Sequence, residues 1–161
     1  MASDFLLELD GIKGESQDSK HKDFIEIESF SWGASNSGSH ASGGGGGAGK
    51  VSFQDLHFTT KVNKASPNLM VACATGQHIK KAKLVVRKHG GEQQEYYVIS
   101  LDDLLVSSYQ SGDAVGGDTI PTDQFSLNFS KIKFEYKPQK ADGSLDAAIT
   151  GGYDVKTNKK L

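Results

Sequence analysis

Three patterns of residue type and spacing in this chain could in principle do chemistry. The first is Gly44, Gly49 and Lys50, which satisfy the GxxxxGK spacing of a phosphate-cradling loop. Such a loop works when a glycine-rich turn opens a helix whose first amides face the phosphates, with Ser or Thr after the lysine to hold magnesium. Here Val51 follows the lysine. Val51, Phe53 and Asp55 then alternate against Ser52, Gln54 and Leu56, the rhythm of a strand. A run of five glycines, Gly43 to Gly47, matches most glycine spacings by chance. The second pattern is the five histidines, His21, His40, His57, His78 and His89. No pair has helical metal-ligand spacing and none sits in a Cys/His cluster, so they read as solvated or loop residues. The third is Asp102-Asp103. Adjacent residues on a strand point to opposite faces, which makes a poor acid/base dyad, and the pair reads as a bulge or strand end. There is no G-x-S-x-G elbow. The residues supply no catalytic set, no metal site and no cofactor site, and the chain reads as a non-enzyme.

The elements that carry these residues follow from composition and pattern. The chain has 161 residues and is expected to be one domain, 1–161. At this length a folded domain buries roughly two-thirds of its unfolded surface. Formal net charge is −2, from 18 basic and 20 acidic residues, which is not the footprint of a nucleic-acid binder. The single cysteine, Cys73, excludes an intrachain disulfide framework and is compatible with folding in a reducing cytoplasm. The opening MASDFLLELDGIKGE has no basic leader and only a short apolar run, so neither a Sec signal peptide nor a membrane span is expected.

Phe5 to Leu9 reads as the opening strand and 15–22 as a polar surface loop. Phe24 to Trp32 reads as a second strand, with Ile25 and Ile27 on one face and Phe30 and Trp32 on the other. That pattern implies burial on both sides, or cover from another subunit. Val51 to Val62 is the third strand. KASPNLMVACATGQH is the one convincing helix, with Ser66 as N-cap, Pro67 first and Gly76 ending it. Leu69, Ala72 and Cys73 share its packing face. Cys73 therefore reads as a small core residue. Ile79 to His89 is a strand with Ala82, Leu84 and Val86 inward and a basic face of Lys81, Lys83 and Arg87. This face reads as solvated, or as half of a charge-complementary contact with acids such as Asp4, Glu8 and Glu26. Glu95 to Tyr109 is its hairpin partner, and 111–121 is a polar loop. Gln124 to Lys137 is the last long strand, with a phase flip near Ser130 that predicts a bulge or a sharp bend. Tyr153 and Val155 suggest a further edge strand. The sum is mainly β: a compact two-sheet β-barrel with one short flanking α-helix and a long Gly-rich extended loop over 35–50. A loop longer than about 12–15 residues in a compact domain is usually functional or disordered.

Several stretches resemble the haemolysin-coregulated protein (Hcp) family of type VI secretion systems. They are DFLLELDGIKGESQDSKH, SWGASNSGSHASGGGGGAGKVSFQDLHFTTKVNKASPNLMVACATGQH, AKLVVRKHGGEQQEYYVISLDDLLVSSYQSG and SLNFSKIKFEYKPQKADGS. The resemblance runs from Asp4 to about Gly152, and the tail 153–161 matches least. It implies a β-barrel subunit of the secretion machine's inner tube, in which hexameric rings stack into an expelled tube. The implied partners are further copies of the chain, a spike of the valine-glycine repeat family, a contractile sheath and small effector proteins in the lumen. No nucleic acid and no membrane insertion are implied. The tube is cytoplasmic before firing, then secreted without a Sec signal. The alternative is a soluble ring-shaped effector carrier that forms no polymer. The resemblance places ring contacts on Trp32, Gly33, Ser35, Asn36, Ser37, His40, Gly43, Gly47, Gly49 and Lys50. On an alternating strand just before that loop, Ser31 is the lumen candidate; a serine inside the barrel wall is the competing placement.

Overall fold

A computed structural model of the chain describes residues 3–38, 50–88, 94–117 and 119–161. His40, Gly43, Gly44, Gly47, Gly49 and His89 lie outside the described residues. The elements in chain order are β1 (Ser3–Leu9), β2 (Ile25–Ile27), β3 (Ser29–Ser31), β4 (Ala34–Asn36), β5 (Val51–Phe53), β6 (Leu56–Lys61) and α1 (Ser66–Thr75). There follow β7 (Ile79–Lys88), β8 (Glu95–Gly112), β9 (Thr122–Tyr136), β10 (Ile149–Asp154) and β11 (Lys159–Lys160). One nine-stranded sheet and the two-stranded β4–β5 sheet hold them all.

The long β8–β9 hairpin is the spine. On its β8 side the ladder continues through β7 and β1 to β2. On its β9 side there are two neighbours: β6 along Thr122–Leu127 and β10 along Lys131–Tyr136. β6 in turn carries β3. Because β2 and β3 are successive pieces of one segment, the two ends of the ladder meet there. The wall is joined by the Glu28 N–H donating to Thr59 O (2.8 Å) and by Thr60 Oγ1 donating to Glu26 O (2.6 Å), not by a continuous ladder.

Two expected strands therefore divide. The Phe24–Trp32 segment turns at Glu28, so Ile25 and Ile27 join the core from β2 and Phe30 joins it from β3. The two-sided apolar pattern records a change of phase, not a strand buried on both faces. Val51–Val62 likewise splits at Gln54-Asp55 into β5, which pairs β4, and β6, which pairs β3 and β9.

The core is filled from alternating positions, among them Leu7, Leu9, Ile25, Leu56, Phe58, Leu84, Ile99, Leu101, Phe125 and Leu127. Phe58 and Phe125 stack face to face at 5.0 Å. The phase flip on β9 is real, and β8 shares it. Buried residues run Ile99, Leu101, then Leu104, Val106 on β8, against Ile132, then Phe129, Leu127 on β9. Pairing stays in register across the flip, from Leu101↔Ile132 to Leu104↔Phe129. It is thus a bend of both strands at Asp103, whose φ of 53° is left-handed, and Asp102-Asp103 is neither a bulge nor a strand end. The bulge lies further along, between Val106 and Ser108.

Helix α1 packs through Leu69 and Ala72, both fully buried, with Cys73 half-buried against the same core. Burying Leu69 contributes about 1.5–3 kcal/mol. Gly76 ends the helix as expected. At φ 66° its N–H reaches Cys73 O and the Gln77 N–H reaches Ala72 O, a Schellman pair. The start differs from expectation. Ala65 is the N-cap and Ser66 is already helical. The Ser66 hydroxyl instead donates to buried Asp123 on β9, which also accepts from the Tyr109 hydroxyl at 2.8 Å. The cap is replaced by a long-range clamp that pins the helix start to the sheet.

Candidate functional site

The root of the extended loop is built by β4 and β5, in register Ala34↔Phe53, Ser35↔Ser52 and Asn36↔Val51. The Gln54 N–H donates to Gly33 O at 2.8 Å and closes the root. Two aromatic residues fasten it to the barrel. The Trp32 indole N–H donates to the Tyr97 hydroxyl at 2.8 Å, and its ring stands edge-on to Phe134 at 5.5 Å. Phe53 lies 5.9 Å from Phe129 and 5.7 Å from Tyr153. Ser35, Asn36, Ser37 and Lys50 are exposed. Strand β5 follows Lys50 directly, so no helix N-terminus stands behind it.

Beside this root the core face of the sheet runs on past its cover. The pairs Ile132↔Tyr153, Phe134↔Gly151 and Tyr136↔Ile149 place these residues on one face of β9–β10. With Trp32 and Phe53 they line an open cleft of about 340 Å³. Gly151 leaves bare backbone in its floor, with nothing within 4 Å of where a Cβ would stand. Ile149 is 66% exposed and Tyr136 43% exposed. An apolar face left open in this way calls for a partner.

A second surface contrasts with it. The ladders align Ser31, His57, Ser126 and Ser108 in one rung and Ser29, Thr59, Gln124 and Gln110 in the next. Cross-strand partners share a face, so the outer face of β3–β6–β9–β8 is polar without a carboxylate, ammonium or guanidinium in either rung. Ser31 belongs to the first rung and is exposed, so it points away from the barrel interior.

The remaining titratable groups are occupied structurally. Arg87 is not on a solvated face: it is 5% exposed and paired with Asp4 (3.2 Å) and Asp18 (2.9 Å). The 15–22 loop is not simply a surface loop either, because Ser16 and His21 are buried. His21 stands between Asp18 (2.9 Å) and Glu95 (2.5 Å). The hydrogen bond with His21, and after it Arg87, holds Asp18 down to about 2 against the opposing effect of burial. Asp4 and Glu8 face Arg87 and Lys83 across the β1–β7 ladder, so much of the charge complementarity read from sequence is satisfied within the chain. Asp103 is held down to about 2, first by Lys156, then by Ser130 and His78. Tyr109 is pushed up, mainly by burial and then by Asp123.

The sequence reading singled out the loop root and Ser31 and did not single out Tyr136 and Ile149. The available signal was ITGGY, apolar residues flanking two glycines on an edge strand. Among the described residues no three His, Cys, Asp or Glu side chains are placed to hold a metal ion. No described helix is long and apolar enough to cross a membrane.

Known proteins with this architecture are informative at this point. The family model for the type VI secretion system effector Hcp matches residues 6–136. The Pseudomonas aeruginosa protein hcp1 is 46% identical over 160 residues, 98% of each chain. A solved type six secretion system protein superposes with a TM-score of 0.93 at 33% identity, over 99% of this chain and 100% of that one. Hcp1 from Salmonella typhimurium superposes with a TM-score of 0.80 at 37% identity, again over 99% and 100%. The chain belongs to the Hcp family of type VI secretion system effectors, whose members are structural, secreted components of that machine and not enzymes.

Proposed function

We propose that this chain is the subunit of a hexameric ring, and that rings stack into the inner tube of a type VI secretion system. The observation that carries this reading is the open apolar cleft beside the loop root, with Ile149 and Tyr136 in solvent. Contact with another copy would cover it. A closed ring needs one heterologous contact, and a tube needs a second that translates along an axis. Ser35, Asn36, Ser37 and Lys50 are exposed at the root and available to such contacts; Trp32 serves chiefly to anchor it. The two uncharged rungs, the first of which includes Ser31, suit a channel wall, because they offer many weak hydrogen bonds and carry no strong charge of their own to trap a passing effector. A spike of the valine-glycine repeat family at one end, a contractile sheath outside and small effectors within complete the assembly. The tube waits in the cytoplasm and leaves when it is fired.

Light-scattering mass and negative-stain electron microscopy test this together. Six times the 17.2 kDa chain mass, with open-centred rings, is expected. Ile149→Asp should lower the assembled fraction while the chain stays folded by circular dichroism. A monomer at tens of micromolar would overturn the reading.

A further inference from the structure

The cleft has a counterpart at the other end of the same strand pair. The loop after β8 makes a tight turn in which the Gly117 N–H donates to Ala114 O at 3.0 Å, with Gly116 at φ 86°. Asp113 Oδ1 accepts from the Ala114 N–H at 2.8 Å and braces the turn. This is the geometry of a type II turn, which needs φ > 0 at its third residue. Its apex is Val115, the most exposed of the described large apolar residues at 109%. An ordered turn that holds a valine wholly in water presents a preorganised knob.

We propose that Val115 of one copy seats in the Trp32–Phe134–Tyr136–Ile149 cleft of the next, making a head-to-tail contact between copies; this rests on the ring-and-tube reading. Polarity supports it. β9 runs 15 residues from beside the turn to the cleft, roughly 50 Å of strand. Knob and hole therefore sit at opposite ends of one strand, and a contact between them cannot be self-complementary but propagates from copy to copy. Charge agrees in sign. Asp113 is exposed and residues 111–117 include no Lys or Arg, while Lys159 and Lys160 are exposed on β11 beside the cleft. Among the described residues the other candidates fit less well: Leu161 is 59% exposed but lies against Gly152 on the cleft side, and Ile120 and Leu105 are 46% and 37% exposed. Ser35, Asn36 and Ser37 at the loop root bring no apolar side chain. Met70 and Val71 are only half exposed, at 49% and 47%, on the side of a helix. One valine is a small contact by itself, but rings would present several in parallel, where avidity multiplies weak contacts.

The test uses full-length chains in a Cys73→Ala background, so that only introduced thiols react. A Val115→Cys chain mixed with an Ile149→Cys chain is oxidised mildly and the mixed disulfide is counted. The control pairs Val115→Cys with Ser29→Cys, an exposed site on the polar face. The expected result is more mixed disulfide than in the control by more than about tenfold, from millimolar local against micromolar bulk concentration. Val115→Asp should shorten or abolish stacked assemblies in electron micrographs. Mixed disulfide equal to the control, or an excess of Ile149→Cys pairing with itself, overturns the contact. Particle mass is measured in parallel. Hexamers without the mixed disulfide defeat this contact alone, whereas the disulfide without hexamers upholds the contact and defeats the ring.

Discussion

The two halves of the β8–β9 hairpin are made by the same pair of strands, yet they do opposite things. From Thr122 to Leu127, β9 is flanked by β6, and its core residues Phe125 and Leu127 are fully buried. Its outer face there is uncharged. From Lys131 to Tyr136, β9 is flanked by β10, and its core face ends in exposed Tyr136. Its outer face there carries Lys131 and Lys133. The difference is one of cover and not of pairing, since both halves have a full complement of ladder partners. A stretch of strand can therefore complete its ladder pairing and still leave part of its apolar face to a neighbour, and that remainder is where assembly is to be sought.

The comparison breaks most visibly in stability. Phe125→Ala in the covered half removes a ring that stacks on Phe58, and should cost about 3–5 kcal/mol. Tyr136→Ala in the open half should cost less than about 1 kcal/mol in the isolated chain. Urea unfolding midpoints of the two variants check this. Similar losses would mean that the open half is as well packed as the closed one.

Next in size is the clamp at the covered end. Asp123 is fully buried and accepts from the Ser66 and Tyr109 hydroxyls. Asp123→Ala strands both donors, at a cost of about 1–3 kcal/mol. Ser66→Ala removes one donor and should cost less. Were Ser66 an ordinary N-cap, its loss would be independent of Asp123. The clamp predicts instead that the two losses in the double variant are not additive, which a double-mutant cycle in urea measures.

This clamp also shows where sequence reading stops. Local rules found α1, its end at Gly76 and its packing face through Leu69, Ala72 and Cys73, because those depend on neighbours within a turn or two. They placed the N-cap on Ser66, where the preferred partner is 57 residues away. The same limit misjudged the 15–22 loop, since nothing local shows that His21 will meet Glu95, 74 positions on. The phase flip on β9 was legible as a break in alternation. That β8 flips with it, and so keeps register, depends on pairing that no single segment reveals. The loop root and Ser31 were singled out only as positions before a glycine-rich stretch, whereas the cleft needed β10 to be placed.

The smallest predicted effect sharpens the comparison at its pivot. Asp103 sits where the two halves meet and ties three segments together: Ser130 on β9 at 2.9 Å, His78 after α1 at 2.5 Å and Lys156 in the tail at 3.1 Å. Its carboxyl is held at about 2, below its ordinary 3.8, by Lys156 first and then by Ser130 and His78. A folded-state value below the unfolded one means that the stabilisation is present above about pH 4. It is lost as pH falls from there toward 2. Asp103→Asn isolates this charge, because Asn has nearly the same shape and also tolerates the left-handed φ of 53°. The difference in melting temperature between the parent chain and Asp103→Asn should therefore be small but present above about pH 4, and should vanish toward pH 2. Asp18, held down in the same range, is present in both chains and cancels in the difference. No difference between the two chains at any pH from 7 down to 2 would show that Asp103 acts through its shape alone, and that the bend between the halves is set by backbone and not by the clasp.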